Sequence, residues 1–359
     1  MAARMRFFYI FRQHLLLTLL VLLLLTFIVD VVQFAERSRL RGSGEFDVWG
    51  ELQRIILQTP SLLQSMLPYV LLVSTALLVL RMGRQYELAI FLQIGRPSRR
   101  VLAPLVVGGV VIGLLYTFAL NPLASVSRNL ENQEQPAAVA GATEVGEARE
   151  IVLRDADGYH FLLVDQINAE ATALEGVTYL RLDNDHRLLN RVNAPRAAWL
   201  DGELVFSQAR DLGTGLGDPI VENNSLRLDF PQTVLTHRAR DRFSISVYEL
   251  PGVIAATRLV GASPYGLASH FQNLIALPAL LGAISFLAGA LIYHPVMRGQ
   301  LRGDIIAIMG TAFAIYFLVT FTDALGGSGA VPPVIVAWGL PLIFGVAGVI
   351  VLSVRSKRR

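Results

Sequence analysis

The sequence predicts an α-helical polytopic membrane protein: six transmembrane helices, grouped 3+3, with an all-β, jelly-roll-like domain inserted between the triplets. Three observations carry this. First, 53% of the 359 residues are hydrophobic and 16% charged, with mean hydropathy +0.51, against about 25% charged residues in a soluble chain. Second, the apolar residues gather into blocks of about 20, the number a helix rising ~1.5 Å per residue needs to cross ~30 Å of hydrocarbon. Third, a polar stretch of about 150 residues, 121–270, separates the third block from the fourth and carries strand-like patterning.

The blocks run from Leu15 to Val32, about Leu62 to Leu80, Val101 to Leu120, about Phe271 to Tyr293, Ile305 to Thr322 and Val334 to Val354. Three domains follow: 1–120 with spans one to three, 121–270 as the insertion, and 271–359 with spans four to six. The first block has the basic leader of a signal peptide, but Asp30 to Arg39 holds no small-x-small cleavage site, so a retained anchor is expected. Short loops on the cytoplasmic side are enriched in Arg and Lys. Arg4, Arg6 and Arg12 precede span one; Arg81, Arg84, Arg96, Arg99 and Arg100 follow span two; Arg298 and Arg302 follow span four; Arg355, Lys357, Arg358 and Arg359 follow span six. Both termini are therefore expected in the cytoplasm and the insertion on the far side.

Within the insertion, β-rich runs recur at Ile151 to Ile167, from Gly176, from Ala197, from Ser225 and from Arg242 to Leu250. Turn formers such as Asp155 to Gly158 and Asp201-Gly202 separate them. It holds 13 Arg against 20 Asp and Glu. The sequence pI near 9.3 thus sums a basic cytoplasmic face and an acidic far-side domain. It records orientation and does not point to nucleic acid.

Several chemistries are excluded outright. With no Cys, thiolate catalysis and Cys-ligated metals are impossible. One Lys, Lys357, stands against thirty Arg, so no P-loop lysine exists and any ATP chemistry must come from another chain. The six His form no metal motif; Asp183 to His186 reads as a polar turn, and Asp155, Asp157 and Gly158 as a hairpin, since no Glu closes a calcium loop. No metal, cofactor or catalytic residue is expected.

Two segments remain. Residues 81–100 read RMGRQYELAIFLQIGRPSRR, with helix-forming Gln85 to Ile94 ended by Gly95 and Pro97. A helix too short to span either lies in the membrane interface or docks into an ATPase subunit as a coupling helix, with Glu87 available for an ion pair or cap. Beyond span one, Arg37, Arg39 and Arg41 break the orientation bias. Arg pairs bidentately with phosphate, so a lipid headgroup is one reading; local pairing with Glu36, Glu45 and Asp47 has equal weight. Arg128, just past span three, belongs to the same question.

Three stretches carry a family resemblance: ERSRLRGSGEFDVWGELQ after span one, LPYVLLVSTALLVLRMGRQYELAIFLQIGRPSRRVLAP through span two and its loop, and GGSGAVPPVIVAWGLP before span six. With the 3+3 order they resemble the lipopolysaccharide-export permeases, the LptF/LptG family, and the Gly-x-Gly and PPxxxAW elements favour its LptG branch. The resemblance implies an inner-membrane half-transporter, no enzyme itself. It would pair with an LptF-like permease, sit on an LptB-like ATPase dimer, and pass lipopolysaccharide to an LptC-like periplasmic bridge. It implies ATPase coupling by Tyr86, Glu87, Leu88 and Gly95, and lipid A phosphate contact by Arg37, Arg39, Arg41 and Arg128. The loop sequence IFLQIG, and Arg in place of Lys near span one, depart from the family pattern. Phe27, Phe34, Phe317 and Phe321 are candidates for lining the lipid cavity, against the plainer reading that they face lipid or a neighbouring helix. A membrane scaffold whose β domain binds a periplasmic partner is the alternative. A secondary carrier is disfavoured, because Asp30, Asp304 and Asp323 fall near span ends.

Overall fold

The computed structural model describes residues 2–41, 48–88, 98–134, 149–155, 158–167, 173–182, 188–200, 203–207, 209–211, 220–221, 224–227, 244–259, 264–298 and 302–357. In chain order its helices are α1 (Ala2–Arg41), α2 (Val48–Arg84), α3 (Ser98–Leu115), a π-helical turn (Tyr116–Leu120) and α4 (Asn121–Glu134). After eight strands come α5 (Leu250–Leu259), α6 (Tyr265–Arg298), α7 (Arg302–Ser328) and α8 (Pro333–Lys357). The chain divides into two units, 1–127 with 268–359 and 128–267.

Six helical stretches are long and apolar enough to cross a membrane: Phe7–Glu36, Val48–Arg84, Arg100–Leu130, Tyr265–Tyr293, Ile306–Ser328 and Pro333–Val354. Each covers an expected span, the fifth to within one residue at its start, and most overrun it, because a helix that satisfies its own backbone in hydrocarbon has no reason to stop at the headgroups. In the helical unit α1 packs on α2 and α3, while α7 packs on α8 and α2.

Besides α2 against α7, the two triplets meet where α3 lies against α6. Pro278 has no N–H, so the carbonyl of Leu274, four residues earlier, loses its helical donor. Thr117, in the π turn, donates to that carbonyl at 2.9 Å in a buried setting. One turn before Thr117, Gly113 lies against the proline so closely that a Cβ would meet the Pro278 backbone. The free carbonyl is thus satisfied from the neighbouring helix, as lipid demands.

The second unit holds one antiparallel sheet. Its strands are β1 (Arg149–Asp155), β2 (Gly158–Ile167), β3 (Ala173–Leu182), β4 (Leu188–Leu200), β5 (Glu203–Ser207), β6 (Ala209–Asp211), β7 (Ile220–Val221) and β8 (Asn224–Arg227). The order is β1-β2-β3-β4-β5-β8, with β6 on β4 and β7 on β6. One register runs through β5 and β6 on β4, from Leu200↔Glu203 to Val192↔Asp211. Another joins β8 and β7 to that interrupted strand. The sheet is in effect a six-ply meander. An inserted all-β domain is present, as expected, its described strands forming one sheet.

The strands on either side of two expected turns pair, Asp155 with Gly158 and Leu200 with Glu203; residues 156–157 and 201–202 themselves lie outside the described residues. In register across three strands, Leu162, Tyr179 and Val192 are buried, as are Val164, Val177 and Ala194. The Tyr179 ring tilts against Phe206 at 6.3 Å, and burial pushes its phenol up to about 12. Gly176 interrupts β3 with φ +64°, its α-carbon packed against the Asp165 side chain, a conformation that a Cβ would obstruct.

One expectation is corrected. The alternating run Arg242 to Leu250 is not a strand over its described residues: Ser244, Ile245, Ser246 and Val247 are buried in succession. The Glu249 and Leu250 amides both donate to the Ser246 carbonyl, while the Ser246 hydroxyl accepts from the Tyr248 amide. Ser246 caps α5. The Ser246-x-x-Glu249 spacing ahead of an apolar run is the capping-box signal that alternation obscured. Asn129 of α4 ties this segment down by donating to the Ser244 carbonyl at 3.1 Å.

Candidate functional site

The loop after span two begins with Arg81 and Arg84 in the last turn of α2, where cations complement the helix dipole. Gln85 still donates to the Arg81 carbonyl at 3.0 Å, but the Tyr86 amide reaches only three residues back, to Gly83, at 3.1 Å. Tyr86 then takes φ +58°. That left-handed turn costs a non-glycine residue about 1–2 kcal/mol, and it leaves the Tyr86 side chain 76% exposed. Helical backbone resumes at Glu87 and Leu88. The expected helix from Gln85 therefore starts two residues later, because reversing out of α2 consumes Gln85 and Tyr86. Residues 89–97, with Gly95, lie outside the described residues.

Leu88 is buried. Glu87 is half-buried; its Oε1 accepts from the Tyr9 hydroxyl at 3.1 Å, and its Oε2 is buried without a partner among the described residues. Tyr9 was not among the expected site residues. It ties α1 directly to the loop.

Further along, α1 is fastened to α2 by polar rungs. His14 Nε2 and Thr75 Oγ1 lie 2.9 Å apart, and Thr18 Oγ1 and Ser74 Oγ 3.0 Å, all four side chains being buried. The His14 ring occupies the space beside Gly108 of α3 that a Cβ would fill. Near the far end, Thr59 donates to Asp30 at 3.3 Å. The buried face of α1 is a narrow seam, Ile10, His14, Thr18 and Val21; no described side chain from Leu22 to Arg39 is buried. The signal for this seam was present: polar residues four apart in an apolar run, and adjacent hydroxyls in the next span, are expensive in lipid unless paired.

At the end of α1, Arg39 is exposed and paired with Glu36 at 3.1 Å. This is the local pairing that the sequence left open, and such an exposed pair contributes only ~0–1 kcal/mol. Arg37 and Arg41 lie in the same helix, with their side chains outside the described residues. Arg128 is half-buried on α4, in the second unit. Phe317 and Phe321 stack on one face of α7, 6.0 Å apart and 6° from parallel; both are exposed, as is Phe27, while Phe34 is half-buried. The most apolar stretches of spans one and five are only 11% and 6% buried, against 72% for span four. Among the described residues no three His, Asp or Glu come together as a metal site.

The family model for the lipopolysaccharide export system permease LptF/LptG matches residues 8–354. The chain belongs to this family. It is also similar to the lipopolysaccharide export system permease protein LptG of Haemophilus influenzae (strain ATCC 51907 / DSM 11121 / KW20 / Rd), with 21% identity over 331 residues, covering 88% of this chain and 86% of that protein. Within LptF/LptG the chain is LptG-like, and the family is that of a permease subunit, in keeping with the six apolar helices.

Proposed function

We propose that this chain is the LptG-like half of an ATP-driven exporter that lifts lipopolysaccharide out of the inner membrane toward a periplasmic bridge. The observation that carries the reading is the turn at Gln85–Tyr86. It exposes Tyr86, buries Leu88 as an anchor and holds Glu87 at the mouth of the loop, the arrangement wanted of a segment that receives motion from another protein. Because the chain has no lysine outside position 357, the nucleotide chemistry belongs to an LptB-like ATPase dimer bound there. Both termini and this loop are cytoplasmic, and the β domain is periplasmic, where it meets an LptC-like partner.

Extraction needs an energy source because each acyl CH₂ pulled out of hydrocarbon costs ~0.8 kcal/mol. The exposed faces of α1 and α7, with Phe27 and the Phe317–Phe321 stack, are the walls this chain contributes to a cavity shared with an LptF-like permease. Arg39 exchanges Glu36 for a lipid A phosphate, with which guanidinium pairs bidentately; Arg37, Arg41 and Arg128 are further phosphate contacts. Domain roles divide accordingly: 1–120 and 271–359 move the lipid, and 121–270 hands it on.

Co-purification tests this. Deleting Gln85 to Ile94, or replacing Glu87, abolishes recovery of the ATPase with the membrane complex. Undiminished recovery would leave the scaffold reading in its place.

A further inference from the structure

Three facts about α1 converge. It is one helix of 40 residues, about 60 Å long at ~1.5 Å per residue, and Ala2 to Arg41 contains neither Gly nor Pro, so it has no built-in kink. Among the described residues its buried attachment to the bundle is Ile10, His14, Thr18 and Val21, with the Thr59–Asp30 bond further along. Its Tyr9 hydroxyl reaches across to Glu87, the first helical residue after the turn. The arrangement is that of a stiff bar held near one end. The His14 ring, seated against Gly108 and bonded to Thr75, is the tightest point of the hold. On one side of it lies Tyr9, and on the other, about 25 residues further along, the arginine cluster.

We propose that Tyr9 is a positioning residue that yokes Glu87 to α1, so that motion of the loop after span two swings the far half of α1 about the His14–Gly108 contact. This rests on the coupling role given above to Glu87. Glu87 presents one carboxylate oxygen to Tyr9 and keeps a second, Oε2, buried without a partner among the described residues. The carboxylate is therefore oriented by Tyr9 and still has accepting capacity for a donor from the ATPase. Force entering there passes into α1 through one hydrogen bond, without traversing α2, whose Pro60 and Pro68 make it the more pliable helix.

The test uses the full complex of this chain with its partner permease and ATPase in proteoliposomes loaded with lipopolysaccharide, reading lipid delivered per ATP hydrolysed. Tyr9→Phe removes the hydroxyl alone, and it lowers that ratio about two- to fivefold, more than it lowers hydrolysis. In a Glu87→Ala background the same change has no added effect, since the acceptor is already gone. Equal proportional losses of hydrolysis and delivery, or additive effects of the two changes, would return Tyr9 to a structural role.

A second measurement exploits the absence of Cys. Spin labels at Val32→Cys and Ile56→Cys, both exposed, report the distance between the far half of α1 and α2. It changes when the ATPase is trapped with vanadate, and Tyr9→Phe suppresses the change; a distance that ignores trapping overturns the lever. If the ATPase stays bound after deletion of Gln85 to Ile94, the coupling reading fails and the yoke with it. If binding depends on that segment while Tyr9→Phe leaves the ratio and the distance change intact, the yoke alone fails.

Discussion

Replacing Thr117 by Val keeps the shape of the side chain and removes its hydroxyl, and therefore removes the donor that satisfies the Leu274 carbonyl at 2.9 Å. A buried acceptor left unsatisfied costs about 1–3 kcal/mol, whereas interhelical hydrogen bonds in membranes average ~0.6 and reach ~1.7 kcal/mol. The expected loss is about 1–1.5 kcal/mol, because Pro278 leaves this carbonyl no helical donor to fall back on. For a unit of this size, roughly 200 residues, each kcal/mol is worth about 2–4 °C in Tm, so Thr117→Val lowers the melting point by about 2–6 °C. The assay is thermal denaturation of the detergent-purified complex followed by size-exclusion recovery, with Pro278→Ala as the decisive partner. Alanine restores the N–H and supplies Leu274 from its own helix. In that background Thr117→Val costs less than half as much. A loss of equal size with and without Pro278 would refute the proposition that Thr117 acts through the proline-freed carbonyl.

Other outcomes follow from neighbouring geometry. Gly113→Ala places a Cβ on the Pro278 backbone; overpacking of ~1–3 kcal/mol, partly offset by ~1 kcal/mol of helix propensity, lowers Tm, while Gly345→Ala, with open space around it, does not. Tyr86→Gly relieves the left-handed strain and leaves thermal stability unchanged or higher, yet reduces ATPase recovery, since the exposed ring is lost; a marked fall in Tm would contradict the assigned backbone. The Tyr179 phenol is raised to about 12 in the fold, so the stability it lends is whole below its unfolded value near ~10 and is lost as pH climbs from there toward about 12. The difference between ultraviolet titrations of the wild type and Tyr179→Phe has its midpoint near 12, and a midpoint near ~10 would refute burial. Glu36→Gln releases Arg39 from its exposed pair and raises photo-crosslinking of lipopolysaccharide at α1, whereas joint neutralisation of Arg37, Arg39 and Arg41 lowers it without disassembling the complex.

The spans were legible because hydrocarbon forces every backbone group into a helix, so an apolar block of sufficient length has one outcome. The hairpin pairings Asp155 with Gly158 and Leu200 with Glu203 were legible because turn chemistry is local. Tyr86 was not: nothing in the residue type announces a left-handed backbone, which the exit from α2 imposes. The pairing of His14 with Thr75, and of Tyr9 with Glu87, depends on the register between α1 and α2. Each helix showed its polar residues, but neither showed which rung of the other they would meet. Arg242 to Leu250 misled for a different reason. Alternation and a capping box coexist in those residues, and burial of four successive side chains on one docked segment decides for the cap.

The distribution of polar groups in the helical unit bears on what such a permease can carry. His14 and Thr75, Thr18 and Ser74, and Asp30 and Thr59 are paired across α1 and α2, Thr117 serves Leu274, and Arg54 lies 3.8 Å from Glu51. The first two pairs and Thr117 are sealed inside the bundle, where they hold helices together and line no aqueous path. A small polar solute needs the opposite arrangement, ionisable groups facing a watery cavity at mid-membrane. What the unit offers outward is apolar, along α1 and α7. Lipid satisfies such faces as well as a protein partner does, so their exposure alone identifies neither a neighbour nor a cargo. Under the function proposed above, a molecule moved along them would be hydrocarbon over most of its length and charged near the arginines of α1. An acylated, phosphorylated lipid fits that proposal, whereas a small solute does not.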